Sequence, residues 1–212
     1  MRSFRWLLLL GCATLLPATA TAQTDRGFQN VWFWGVKGGI STFSTEAVDN
    51  AVAPLAGAEW LITRKRFGLY VSGDYSFFDE TTTIEDFSGT PREVTLSNLK
   101  RVTVAGLAFP KAYGTVRPYA GLGFAINFIG EAMPTGTFGN SADESFVRAE
   151  IAERRDRASL VVMGGLQGQI GRVAPFGQVT VQPSQVGFLL SGRPMYVLEA
   201  GIRLNAGSAI ER

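Results

Sequence analysis

The sequence predicts an all-β protein, an eight-stranded antiparallel up-and-down β-barrel that crosses a membrane. Three observations predict this fold: an export signal at the start of the chain, segments of alternating hydrophobicity, and connections that are alternately short and long. Alternating segments of about ten residues, joined by turns on one side and longer loops on the other, are typical of membrane barrels. The barrel must be closed, because unpaired backbone groups at a sheet edge cannot face lipid.

Residues 1–22 are predicted to be a cleavable signal peptide. Two arginines precede an apolar run that ends at Pro17, and small residues of the kind that signal peptidase accepts follow it. The apolar run is shorter than the about 20 residues that a membrane-spanning helix needs. We expect cleavage after Ala22, with Ala20 as the alternative, so that residues 23–212 form the exported barrel domain.

Cys12 leaves a second interpretation of this segment open. Residues 9–12 read Leu-Leu-Gly-Cys, which resembles a lipoprotein signal with Cys12 as the acylated residue. If Cys12, the chain's only cysteine, instead leaves with the signal peptide, the exported protein can form no disulfide. A closed sheet would then hold the protein together in an oxidising compartment.

The clearest strand is predicted at residues 116–128. Apolar residues occupy every second position of this segment, and small or polar residues lie between them. A period of two indicates a strand, because successive side chains of a strand point to opposite faces. The face expected to contact lipid consists of Val116, Pro118, Ala120, Leu122, Phe124, Ile126 and Phe128.

Six further strands are predicted from the same alternation, and all eight fall within about residues 31–204. The six are residues 32–41, a strand ending near Thr63, and residues 67–77, 160–170, 174–182 and 196–204. Residues 94–109 form the remaining strand, but the direction of its side chains is ambiguous. Val102 and Val104 indicate one register and Leu107 and Phe109 the opposite one, which a bulge would reconcile.

The connections between the predicted strands alternate strictly in length. The short ones are 63–66, 110–115 and 171–173, and the long ones are 42–52, 78–93, 130–157 and 183–194. Short periplasmic turns and long external loops are the arrangement of outer-membrane barrels. Aromatic residues near the strand ends are expected to form two interfacial girdles, with Trp32, Trp34 and Trp60 at the periplasmic rim and Tyr75, Phe77, Phe128 and Tyr196 at the external rim.

Two of these strands carry motifs with a family resemblance. Residues 117–125, Arg-Pro-Tyr-Ala-Gly-Leu-Gly-Phe-Ala, resemble the RPYxGxGxG-type strand of the small outer-membrane β-barrel families, and residues 35–39, Gly-Val-Lys-Gly-Gly, resemble their first strand. In length and strand count the chain is similar to opacity proteins and to the OmpA barrel. The resemblance implies the fold and an outer-membrane location, and it implies no activity, because these families share none. Such barrels often end on an aromatic residue, whereas the last strand predicted here ends at Leu204.

Charged residues are predicted to meet inside the barrel. Closure makes the eighth strand the neighbour of the first, so five charges are expected to face the lumen from four adjacent strands: Lys37, Glu59, Asp74, Glu199 and Arg203. An eight-stranded barrel is just wide enough for its side chains to fill it, and buried charges must be paired. The sequence therefore predicts an ion-pair network that plugs the lumen, with Arg117 nearby. The alternative is a gate whose charges part to pass small ions.

The residue types exclude several classes of function. The chain has no histidine, which excludes a Ser-His-Asp triad and histidine metal sites, and the exported part has no cysteine for a thiolate site. Calcium could still bind oxygen ligands in the loops, but no loop has the regular Asp-x-Asp-x-Asp-Gly spacing, so solvated carboxylates are favoured at Asp79, Glu80, Asp86, Asp143 and Glu144. We therefore expect no enzyme activity, no metal and no cofactor. Cleavage of the signal reduces the basic residues from 20 to 18, equal to the 18 acidic ones, and no basic stripe remains for nucleic acid.

A mixed-charge run lies in the third long loop, at residues 150–157. It is interpreted as a solvated loop or as strands that extend above the membrane. Charges of both signs alternate in this run, and its arginines could bind lipopolysaccharide phosphates. The candidates for this contact are Arg154, Arg155 and Arg157.

The function that the sequence favours is a structural or surface-interaction role carried by the external loops of a plugged barrel. One alternative is a small pore or conduit for ions or apolar solutes. A remote alternative is a soluble lipocalin-like carrier, which would need the apolar faces of the strands to point inward. The expected partners are outer-membrane lipid, lipopolysaccharide and, during biogenesis, the barrel assembly machinery, and the protein is expected to be a monomer.

Overall fold

The computed structural model describes residues 28–190 and 192–208, and it contains eight strands and one helix in these residues. The predicted signal peptide, its cleavage site and Cys12 lie outside the described residues. The strands are β1 (Val31–Phe43), β2 (Ala51–Arg64), β3 (Phe67–Glu85), β4 (Pro91–Ala108), β5 (Val116–Pro134), β6 (Asp156–Gly168), β7 (Val173–Gln182) and β8 (Met195–Ser208). The helix, α1 (Ser141–Arg154), lies between β5 and β6.

The strands form a closed antiparallel barrel in chain order. Each strand pairs with the next, and β8 pairs with β1, so that Trp34 lies opposite both Trp60 of β2 and Leu204 of β8. The predicted fold, strand number and strand order are confirmed. We call the end of the barrel with the short connections the turn end, and the opposite end the loop end.

The two faces of the strands differ as the alternation predicted. On the outside, apolar side chains are exposed, among them Val36 (68%) and Leu122 (69%). On the inside, polar and charged side chains are buried, and Arg203 is completely inaccessible. This arrangement is the reverse of a soluble barrel, in which the apolar face points inward.

Strand β4 resolves the ambiguity that the sequence left. Its pairing with β3 and β5 runs without a shift from Leu99 to Ala108, so no bulge separates Val102 and Val104 from Leu107. Val102 and Val104 point outward, whereas Leu107 is buried inside. Near the turn end both faces of this strand are apolar, because the outer face is apolar throughout and the lumen is also apolar at this end.

The lumen is filled in three layers. An apolar cluster at the turn end includes Phe28, Val31, Phe33, Leu61, Leu107, Phe109, Met163 and Ala174. A second apolar cluster at the loop end includes Phe43, Leu55, Ile84, Val94, Leu96, Leu99, Ile129, Val147, Ile151, Phe188, Leu189, Leu190, Met195 and Val197. Charged and polar side chains lie between the two clusters.

The segment 78–93, predicted as a loop, is instead largely a hairpin of β3 and β4. Their pairing continues to Glu85 opposite Pro91, beyond a register shift between Ser76 and Asp79. Residues 81–83 are three consecutive threonines, which favour extended backbone. Ile84 and the facing residues of β4 pack into the loop-end cluster, so the hairpin is part of the core.

Helix α1 was not predicted, and it corrects the interpretation of residues 150–154 as a solvated loop or as strands, whereas Asp156 and Arg157 do belong to a strand, β6. The side chain of Asn140 caps the helix by accepting from the amide of Asp143 at 2.8 Å. Val147 and Ile151, four residues apart, bury one face of the helix in the loop-end cluster. No helix in the described part of the chain is both long and apolar enough to cross a membrane.

Candidate functional site: the buried charge network

Lys37, at the centre of β1, is the first member of a charge cluster in the lumen. Its ammonium lies 2.8 Å from Asp74 Oδ1 on β3, as an ion pair, and 2.8 Å from Glu199 Oε1 on β8. It also donates hydrogen bonds to the Tyr70 hydroxyl at 2.9 Å and to Ser72 Oγ at 3.3 Å. The structure thus brings together three of the predicted residues around one ammonium group.

Arg101 of β4 completes this cluster from the opposite side. Its guanidinium donates to Asp74 Oδ2 from Nη2 at 2.8 Å and from Nε at 3.1 Å, and Nη2 also reaches Glu199 Oε1 at 3.1 Å. Two cations and two carboxylates therefore alternate around the cluster. Sequence reasoning missed Arg101 because the facing of β4 was ambiguous, although an outward Val102 places Arg101 in the lumen.

The second cluster is centred on Arg203 of β8. Its Nε forms a short ion pair with Glu59 of β2, and its Nη1 donates to Gln167 Oε1 at 2.6 Å. The guanidinium carbon lies 3.8 Å from the centre of the Phe176 ring, in a cation–π contact. Arg203 is therefore held by a carboxylate, an amide oxygen and an aromatic face.

Tyr70 and Gln178 join the two clusters. The Tyr70 hydroxyl accepts from Lys37 and donates to Glu59 Oε2 at 3.0 Å. The Gln178 amide donates to Glu199 Oε2 at 2.6 Å and to the Tyr70 hydroxyl at 3.1 Å. Through these contacts one continuous network crosses the lumen.

The network is electrically balanced and buried. Three cations (Lys37, Arg101 and Arg203) face three carboxylates (Glu59, Asp74 and Glu199), and each of the six residues is at most 6% exposed. With Tyr119 of β5, Gln167 of β6 and Gln178 of β7, every strand of the barrel contributes a side chain. Buried charges are tolerated when they are paired and hydrogen-bonded, which this arrangement provides.

Arg117 lies on the turn-end side of the network, opposite Gln167, the residue that accepts a hydrogen bond from Arg203. It is the second residue of β5, and its guanidinium stacks 4.4 Å from the centre of the Phe28 ring. The third cation that the carboxylates need is Arg101.

The turn end of the lumen is closed by Phe28, a residue that precedes β1. Phe28 is 1% exposed, and its ring packs edge-on against Phe109 with the centroids 4.7 Å apart. Its carbonyl accepts a hydrogen bond from the buried hydroxyl of Thr63.

The loop end is closed by the connection between β7 and β8. Phe188, Leu189 and Leu190 are buried between the strands, although the segment 183–194 was predicted as an external loop. Gly187 and Gly192 flank the three residues with positive φ angles of 73° and 98°. These conformations favour glycine and let the chain turn into the barrel and out again.

The three arginines predicted to contact lipopolysaccharide do not form one cluster. Arg154 pairs with Glu150 at 2.6 Å within α1, and Arg155 donates to the carbonyls of Ile129 (2.8 Å) and Gly130. Arg157 donates to the carbonyl of Val186. Arg155 and Arg157 therefore tie separate parts of the loop end together, whereas the side chain of Arg154 is bound within α1.

Aromatic residues lie on the outside of the barrel near its ends. At the turn end Trp60 stacks on Trp34, with ring centroids 5.4 Å apart, and contacts Trp32 edge-on at 5.3 Å. Near the loop end Lys100 faces outward between Tyr75 and Phe128 of the neighbouring strands. The apolar belt thus ends in aromatic residues at both rims, as in membrane barrels.

Two solved structures resemble this architecture. Neisserial surface protein A (NspA) has 10% sequence identity and a TM-score of 0.55, and the match covers 82% of this chain and 96% of NspA. Ail, the attachment invasion locus protein of Yersinia pestis, has 11% identity and a TM-score of 0.50, over 84% of this chain and 99% of Ail. No family model and no curated protein sequence matches the chain. At this identity the likeness concerns the fold, and the chain has the fold of the small eight-stranded outer-membrane β-barrel proteins.

Proposed function

We propose that this protein is an outer-membrane barrel with a closed lumen, whose role is to interact at the cell surface through its loop end. The observation that carries the proposal is the balanced network of six charges, which crosses the lumen between two apolar clusters. A conduit for ions would need a water-filled path, and an ion in this lumen would have to separate paired, dehydrated charges. The closed lumen favours the surface role over the pore.

The exposed apolar exterior supports the membrane location. Side chains such as Leu122 and Val36 would face water in a soluble carrier, at a cost of about 25 cal/mol for each Å² of apolar surface. A lipocalin-like carrier would also need an apolar interior along the whole lumen, and here the centre is charged. The signal peptide expected at residues 1–22 fits the same location.

Lipopolysaccharide and outer-membrane lipid are the proposed surroundings of the loop end. Arg155 and Arg157 are exposed there, and Lys100 adds a cation between two aromatic side chains at the rim. A lysine in this place can extend its ammonium to phosphate groups while its stem stays in apolar contact. We further propose that the protein is a monomer without enzyme activity, assembled by the barrel assembly machinery.

Efflux from liposomes tests the closed lumen. Purified protein without residues 1–22 is reconstituted into vesicles loaded with a small-ion reporter and compared with empty vesicles and with vesicles that contain a porin. We expect the efflux rate of empty vesicles. Efflux that rises with the amount of barrel would contradict the proposal and favour the conduit.

A further inference from the structure

The charged side chains at the turn end of the barrel are all basic in the described residues. The three short connections and the strand ends beside them contain neither Asp nor Glu. Five exposed cations lie in or next to these connections, and none forms an ion pair with a described residue: Arg64, Lys65, Arg66, Lys111 and Arg172.

The loop end has a different pattern of charge. The four long connections that the sequence predicts there contain more acidic than basic residues. Cations at this end have acidic partners, such as Arg92, which lies 2.7 Å from Asp86, and Arg148, which lies 2.9 Å from Glu144. Uniform positive charge is therefore a property of one end of the barrel and not of its surface as a whole.

An exposed apolar side chain lies beside a cation in each of the three short connections. Phe67 lies opposite Arg64 in the register of β2 and β3, and the Lys111 ammonium lies 6.0 Å from the ring centre of Tyr113. Ile170 precedes the cation of the third connection by two residues. The apolar members are 67–71% exposed. Such pairs suit the boundary between acyl chains and headgroups, because one member can contact each.

The strands hold these pairs at the edge of the apolar belt. Trp60 and Arg64 are four residues apart on β2, so both lie on its outer face, with Arg64 nearer the end of the strand. The turn that follows is tied to β4, because the Phe109 amide donates to the Arg66 carbonyl at 2.7 Å. Since tryptophan marks the interface of a membrane, the cations lie at the level of the lipid headgroups.

We propose that the turn end binds anionic phospholipids of the leaflet that it faces. The five cations bind the phosphate groups, and the exposed apolar side chains contact the acyl chains. A soluble acidic partner is the weaker occupant, because it would leave those apolar side chains without apolar contact. The inference deepens the proposed function, on which it rests, by naming the class of lipid at the end opposite the loops.

The tryptophans of the exported chain report on this end of the barrel. Without residues 1–22 the chain keeps Trp32, Trp34 and Trp60, all of which lie in the turn-end girdle. The protein is reconstituted in two vesicle preparations with the same ratio of phosphatidylcholine to phosphatidylglycerol. The acyl chains of one lipid or of the other carry bromine, which quenches the fluorescence of a tryptophan that it contacts.

We expect the brominated phosphatidylglycerol to quench more strongly than the brominated phosphatidylcholine at equal content. The difference should correspond to about fivefold tighter binding at the girdle, which is the effect of about 1 kcal/mol from one cation near the headgroups. Equal quenching by the two lipids would overturn the proposal. Absence of quenching by either lipid would overturn the membrane location as well, so the two failures are distinguishable.

A matched pair of variants locates the preference. The first combines Arg64→Gln, Lys65→Gln and Arg66→Gln, and the second combines Arg64→Lys with Arg66→Lys, which keeps the charge of the same connection. We expect the first variant to lose most of the preference for phosphatidylglycerol and the second to keep it. Quenching by brominated phosphatidylcholine shows that each variant is inserted. An unchanged preference in the first variant, or equal losses in both, would contradict the proposal.

Discussion

Lys37 and Asp74 form an ion pair across a glycine. The two residues lie on β1 and β3, and the strand between them presents Gly57 opposite both, in register with Lys37 on one side and with Asp74 on the other. A side chain at this position would fill the space that the pair occupies. The ammonium and carboxylate meet at 2.8 Å because β2 has no side chain between them.

Replacing Gly57 by alanine should therefore disturb the network directly. A Cβ at this position would overlap Asp74 Oδ1 and would lie 2.7 Å from the Gly73 carbonyl oxygen. We expect a loss of about 1–3 kcal/mol in the free energy of unfolding, as overpacking usually causes, measured by urea unfolding in detergent micelles. Gly73→Ala is the control, since nothing lies within 4 Å of its Cβ. Equal stability of the two variants would count against the tight fit.

Removing the buried ammonium of Lys37 should lower the free energy of unfolding more than removing an exposed ammonium does. Lys37→Met keeps the length of the side chain but leaves Asp74 and Glu199 with Arg101 as their remaining cation. We expect the free energy of unfolding to fall by about 3–5 kcal/mol, the usual effect of breaking a buried ion pair. Lys100→Met, on the outer face, should change it by less than about 1 kcal/mol. A Lys37→Met variant as stable as wild type would show that the network adds nothing to folding.

The tip of the β3–β4 hairpin should loosen in acid. Burial would raise the pKa of Asp86, but hydrogen bonds from the Thr90 and Ser88 amides and the Arg92 guanidinium outweigh it and lower the pKa below its ordinary value of 3.8. The carboxylate therefore stabilises the tip fully above that value, and the contribution is lost as the pH falls through the lowered pKa. Amide exchange at Ser88 and Thr90, followed by NMR, should accelerate in that range. Asp86→Asn should show fast exchange already at neutral pH, and slow exchange in this variant would contradict the assignment.

The sequence was informative where the alternation of side chains was regular. It predicted the barrel, the strand order and the lumen side of residues such as Lys37 and Glu199, because a period of two depends on local chemistry alone. The polar side of β4 was obscured by Leu107, whose apolar surroundings come from strands distant in sequence. Arg101 was missed for this reason.

At the loop end, too, prediction from the sequence was limited by contacts between segments that are distant in sequence. Phe188 and its two neighbours lie in a segment rich in glycine and proline, which indicates a loop, and their burial depends on the space left by other strands. Helix α1 did leave a local signal in Asn140, Asp143 and the spacing of Val147 and Ile151. That signal is short, and a run of mixed charges follows it directly.

Electrical recording in planar lipid bilayers tests the closed lumen most directly. The refolded barrel without residues 1–22 is recorded beside Lys37→Ala, which removes the ammonium shared by Asp74 and Glu199. The network and the two apolar clusters predict no discrete current steps from the wild-type barrel at either polarity. Reproducible steps from the wild type, in preparations where the empty bilayer is silent, would contradict the closed lumen and identify the barrel as a conduit.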